Sequence, residues 1–176
     1  MNEGSTAINY KKYVKTLIKS AWDEMPEKIS ITDKETYRAT VLYHMYSGEY
    51  SLRFSVDHFR EKLKRFAFPH VVFHEVSHVW DFLKHGRLID TIEQRRKDEI
   101  YADLCGLELL VDANVSYPIL RCVVSLTLVA IQAYGFGEAI KYFFNWDEES
   151  DIYPHPFVRA WYLWKHGMKY KNRRRE

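Results

Sequence analysis

Residues 70–80 read His70-Val71-Val72-Phe73-His74-Glu75-Val76-Ser77-His78-Val79-Trp80. Written on a helix, His74 and His78 are four residues apart, so their rings fall about 40° apart around the axis and about 6 Å apart along it. Two imidazoles so placed can face one ion. Glu75 sits on the shoulder of the same face, where its carboxylate can take a proton from water activated by that ion. Val71, Val72, Val76, Ser77, Val79 and Trp80 are all uncharged, as a buried site helix requires. With 8 His and 14 Glu among 176 residues, this HExxH pattern arises by chance roughly 0.03 times in such a chain. The competing reading is a core helix whose histidines are merely hydrogen-bonded.

Around this helix the chain has the size and composition of one folded unit, residues 1–176. It is 47% apolar and 16% aromatic, which rules out a disordered chain. Lys and Arg number 26 against 24 Asp and Glu, so no general field draws nucleic acid or anionic lipid. The start is polar and lacks the apolar segment of a signal peptide. The longest apolar stretch, Cys122 to Ile131, is too short to cross a bilayer, which takes about 20 residues. Cys105 and Cys122 both lie in apolar helical patterns and are read as free thiols. These features imply a cytoplasmic protein with no membrane segment.

Tyr10 to Trp22 has the spacing of an amphipathic helix, and Pro26 marks its end. Thr36 to Tyr46 fits either a strand or a helix. Tyr50 to Ser55 alternates apolar and polar residues, which predicts a short edge strand. Val56 to Phe66 is amphipathic and interrupted by Pro69. A second helix is expected from His70 to His85, stopped by Gly86. Asp90 or Thr91 caps a long helix to about Val111. Pro118 opens an apolar helix to about Tyr134, and Gly135 and Gly137 precede a short helix ending near Phe144. The acidic loop Asp147 to Asp151 leads to Pro154-His155-Pro156 and a last helix over about 157–168.

Zinc held by two histidines needs a third protein ligand and one open position. His85 lies roughly 10 Å too far along the helix, and Asp81 reaches the ion only with strain. Glu99-Ile100-Tyr101-Ala102-Asp103 comes about 20 positions after His78, room for a loop and an antiparallel return. Glu99 and Asp103 share one face. Glu99 can bind the metal while Asp103 accepts the outer N–H of a ligand histidine.

The two segments together resemble the gluzincin pattern of thermolysin-like peptidases, and Ala102 before Asp103 is nearer to the HtpX/CAAX-protease type and the Lit-like phage-exclusion peptidases. The resemblance implies one Zn²⁺ ion on His74, His78 and Glu99, with Glu75 as general base and Asp103 orienting a histidine. It further implies an α+β, predominantly helical fold: a zincin-like core with a small β-sheet or hairpin beside the HExxH helix. In those groups a later His-Pro is followed by Arg, which His155-Pro156-Phe157-Val158-Arg159 matches. By that analogy His155 stabilises the oxyanion and Arg159 pairs with a carboxylate, Asp103 or Asp151. The likeness covers His74 to Asp103 well, His155 to Arg159 loosely, and the first fifty residues not at all.

The expected activity is hydrolysis of a protein or peptide substrate, with residues 52–55 as a strand edge onto which the substrate adds. Two other functions fit the same residues: a regulatory or partner-binding protein on a zincin scaffold, and a metal-dependent amidohydrolase for a small substrate. Trp80, Tyr101, Trp161 and Trp164 read as core aromatics at helical spacing. The basic tail, residues 169–175, reads as a solvated helix end and is the one hint of nucleic acid. Oligomeric state is not encoded in any pattern found.

Overall fold

The computed structural model describes residues 10–22, 29–32, 34–44, 49–55, 59, 61–85, 91–144 and 155–173. The first amphipathic stretch forms α1 (Tyr10–Ala21), which buries Val14, Leu17 and Ile18 and turns Lys12, Lys15 and Lys19 to solvent. Three strands follow: β1 (Ile29–Thr32), β2 (Lys34–His44) and β3 (Glu49–Ser55), in the order β1-β3-β2. The ambiguous residues 36–44 are thus strand. A stretch rich in Thr, Val and Tyr, residue types favoured in strands, goes that way once a partner strand is present.

The expected edge strand is central instead. Residues Tyr50 to Arg53 pair in parallel with Ile29 to Thr32. The same strand pairs antiparallel with β2, Ala39 opposite Phe54 through His44 opposite Glu49. Both ladders of β3 are therefore occupied as far as Arg53, while Phe54 and Ser55 pair with β2, so that docking mode is withdrawn for Leu52 and Arg53. Burial agrees: Ser51 and Ser55 are buried along with Tyr50, Leu52 and Phe54, so neither face of β3 is open.

Helix α2 (Lys62–His85) runs straight through Pro69, which does not interrupt it. An interior proline removes one backbone hydrogen bond and costs about 3 kcal/mol. Two features offset that cost. Phe68, Val72, Phe73 and Val76 are fully buried. In the turn before Pro69, the Arg121 guanidinium donates to the Phe66 carbonyl oxygen and lies 4.4 Å over the Phe66 ring. Phe68 also contacts the sheet through Phe54 at 5.5 Å between ring centroids, and Phe82 meets Tyr50 at 5.7 Å. The sheet therefore lies against α2.

Helix α3 (Ile92–Asp112) begins at Thr91, whose Oγ1 accepts the Gln94 N–H at 3.1 Å. It ends in a Schellman motif. Asn114 takes a left-handed φ of 53°, while the Asn114 and Val115 amides donate to the Val111 and Leu110 carbonyls. Helix α4 (Pro118–Phe144) is broken at Gly135, where φ is 74° and ψ 159°, as the glycine there predicts. Helix α5 (Pro156–Arg173) packs on α3 and α4, burying Leu163 against them. The chain is α+β and predominantly helical, with a small sheet beside α2, as expected. No described helix is long and apolar enough to cross a membrane. Both cysteines are free. Residues 56–58, Gly86, Asp90 and the acidic loop 147–151 lie outside the described residues, as do the side chains of His85 and of the basic tail.

Candidate metal centre

Helices α2 and α3 meet backbone to backbone at Gly106. A Cβ there would stand 3.1 Å from the His74 nitrogen and 3.4 Å from its Cα. Glycine is the residue that permits so close an approach. One and two turns back along the same face of α3 lie Asp103 and Glu99, so the contact brings both carboxylates beside His74. Ala102, fully buried, keeps the seam narrow.

The three expected ligands converge. His74 Nε2 and His78 Nε2 are 3.2 Å apart. Glu99 Oε2 lies 3.4 Å from His74 Nε2, and Glu99 Oε1 lies 3.5 Å from His78 Nε2. Two donors each 2.0–2.2 Å from a tetrahedral zinc ion stand about 3.3–3.6 Å apart, so the observed spacings match to about 0.1 Å. Among the described residues this is the one group of His, Cys, Asp and Glu drawn together tightly enough to hold a metal ion. The His78 side chain is 27% exposed against 12% for His74, so the group opens toward solvent on the His78 side.

Behind the ligands is a second layer of charge. His74 Nδ1 stands 2.8 Å from Asp103 Oδ1 and donates its proton there, which leaves Nε2 facing the other ligands. Arg159 reaches in from α5. Its Nε donates to Asp103 Oδ2 at 2.6 Å and Nη2 to Oδ1 at 2.9 Å. Its Nη1 is 3.0 Å from Glu99 Oε2. One guanidinium thus braces both carboxylates. The pairing with Asp103 was expected; that with Glu99 was not. Asp103 is 1% exposed and Arg159 8%, so this is a buried pair.

Burial opposes every charge here, and the partners outweigh it. Desolvation favours a neutral Asp103, yet Arg159 and His74 hold its carboxyl well below the usual range. Glu99 is likewise desolvated but held far down by hydrogen bonds from His74 and His78. Burial disfavours an imidazolium at His74, but Asp103 and then Glu99 push it up to about 10. A metal cation held at His74 Nε2 would have to displace that proton.

Glu75 follows His74 on α2 and is half-buried, and its charge adds to those that favour the Arg159 guanidinium. His155 precedes α5. Its carbonyl accepts the Arg159 amide at 3.1 Å, and its Nδ1 accepts the Phe157 amide at 3.3 Å. Accepting at Nδ1 leaves the ring proton on Nε2. His155 is joined to the cluster through Arg159, one helical turn on. Asp81 is half-buried on α2 and is not part of the ligand group.

Two participants escape a sequence reading. Gly106 carries no chemical signal of its own. His70 completes the spacing His70, His74, His78, one residue in four along α2, and that spacing was the available clue. No protein-family model, curated protein or solved structure matches this chain.

Proposed function

We propose that the chain is a zinc-dependent peptidase of gluzincin type, acting in the cytoplasm on protein or peptide substrates. The observation that carries the reading is the convergence of His74 Nε2, His78 Nε2 and Glu99 at 3.2–3.5 Å, the spacing of three donors around a tetrahedral ion. A zinc ion there supplies a Lewis acid that polarises a carbonyl and acidifies water. Asp103 holds His74 in the tautomer that offers Nε2. Arg159 keeps Asp103 and Glu99 ionised and fixed, so the ligand set loses little freedom on binding. Glu75 takes the proton of the attacking water and passes it to the leaving amine. His155, protonated on Nε2, donates to the oxygen on which negative charge develops. The free cysteines support a reducing compartment.

Metal analysis after zinc reconstitution and dialysis tests this. One zinc per chain is expected, lost in His74→Ala and Glu99→Ala and kept in Glu75→Gln, which cleaves no peptide. Wild-type protein that holds no stoichiometric zinc sinks the reading. A second reading, a partner-binding protein on the same scaffold, is favoured by Trp161, Tyr162 and Trp164 on α5, which are exposed; Trp161 and Trp164, like Trp80 and Tyr101, are thus not the core aromatics that their helical spacing predicts. Stoichiometric zinc without cleavage of any unfolded protein substrate would select it.

A further inference from the structure

His70 is the anomaly of α2. It is 1% exposed, and neither ring nitrogen has a hydrogen-bond partner among the described residues. A buried imidazole without partners costs about 1–3 kcal/mol relative to one that is satisfied, and a phenylalanine of similar shape would avoid the penalty. The Asp103 carboxylate faces it. His70 Nε2 lies 3.7 Å from Asp103 Oδ1, the oxygen that accepts the His74 Nδ1 proton. The His70 and His74 ring centroids are 6.1 Å apart.

We infer that His70 is a positioning residue for the metal centre: its Nε2–H holds the Asp103 carboxylate in register with His74, and through Asp103 it sets the orientation of the His74 ring. This rests on the zinc reading above. Arg159 holds both Asp103 oxygens and His74 donates to Oδ1. A further α2 donor one turn before His74 adds a hold on Oδ1 that does not depend on the ligand histidine itself, and the 3.7 Å separation is about half an ångström longer than a hydrogen bond, within reach of a small side-chain shift. Full burial disfavours a charged imidazole, so the donor is the neutral ring.

The test compares His70→Phe, which keeps the ring and removes the N–H, with His70→Gln, whose side-chain amide restores a donor at a similar reach. Zinc affinity is measured by chelator competition, and stability by melting in EDTA. Groups that orient ligand histidines change metal affinity 10–100-fold, and His70 acts one bond further out, so about a tenfold loss is expected in His70→Phe. His70→Gln should recover most of it, while the melting point of His70→Phe in EDTA stays level or rises. Wild-type affinity in His70→Phe overturns the inference. So does a loss shared by both variants that tracks a fall in melting temperature, which assigns His70 to packing.

If His70→Phe does not fold, imidazole ¹⁵N spectra of the wild type in EDTA decide instead. A neutral His70 protonated on Nε2, with that resonance moving in Asp103→Asn, supports the role; protonation on Nδ1 overturns it. A wild type that binds no zinc but gives the Nε2 spectrum defeats the zinc reading, and the positioning role with it, while leaving the His70–Asp103 contact established. Zinc in the wild type with no effect of His70→Phe defeats only the inference.

Discussion

Replacing Arg159 with methionine isolates what a buried counter-charge contributes. The substitution removes two hydrogen bonds to Asp103, at 2.6 and 2.9 Å, and the 3.0 Å pair with Glu99. Asp103 then stands 1% exposed with His74 as its remaining close cation. Breaking a buried pair from one side costs roughly 3–5 kcal/mol, and because His74 still offers a charge the lower end, about 3 kcal/mol, is expected. For a domain of this size that lowers the melting temperature by roughly 6–12 °C. Most of the penalty belongs to the stranded carboxylate rather than to the lost pair. Adding Asp103→Asn removes the stranded charge and keeps an oxygen for the His74 Nδ1–H. The double variant should therefore recover about half of the loss, about 1.5 kcal/mol, and be more stable than Arg159→Met alone. Urea unfolding in EDTA, followed by tryptophan fluorescence, measures all four corners of the cycle. Arg159→Met within 1 kcal/mol of wild type, or a double variant less stable than Arg159→Met alone, would refute the reasoning.

The ionisations predict how stability depends on pH. The folded pKa of His74, about 10, lies above its unfolded value of 6.5. Its contribution is therefore complete below pH 6.5 and is lost as pH rises through 10. Melting in EDTA should fall over that window, and a flat profile there refutes the assignment. Glu99 and Asp103 are shifted the opposite way, so their contribution is present above the ordinary carboxylate range and lost on acidification below it. Gly106→Ala tests the helix contact. An alanine in an open helix position would stabilise by about 1 kcal/mol, but here its Cβ meets the His74 backbone at 3.1 Å. A loss of about 1–3 kcal/mol and at least a tenfold drop in zinc affinity are expected; a stabilised variant with unchanged affinity refutes the close approach.

The ligands were legible because metal chemistry and helix geometry impose the same spacing. His74 and His78, then Glu99 and Asp103, each stand four apart, and Thr91 marks where the second helix starts. Pro69 misleads because the local rule is sound and tertiary contacts override it: Arg121, 55 residues away in sequence, serves the disturbed turn. The position of β3 misleads for a related reason. Alternation identifies a strand, but whether it is central depends on β1, four residues whose only strong signal is a partner elsewhere in the chain. His70 carries little signal in the sequence because a histidine on an apolar helix face ordinarily belongs to the core. The hold of Arg159 on Glu99 was beyond reach because nothing local to either residue encodes it.

The glycine seam between α2 and α3 has a consequence for which ions the centre accepts. Where side chains separate two helices, rotamer changes let a cavity widen or shrink to suit its guest. At Gly106 the two main chains touch, so the aperture between His74 and Glu99 is set by the least compliant part of the protein. On the zinc reading, such a mouth would not dilate for calcium, which needs 6–8 oxygens at 2.3–2.6 Å, nor offer the octahedral oxygen cage that suits magnesium. The rigidity of the frame would then favour small, nitrogen-seeking divalent ions as much as the identity of the donors does.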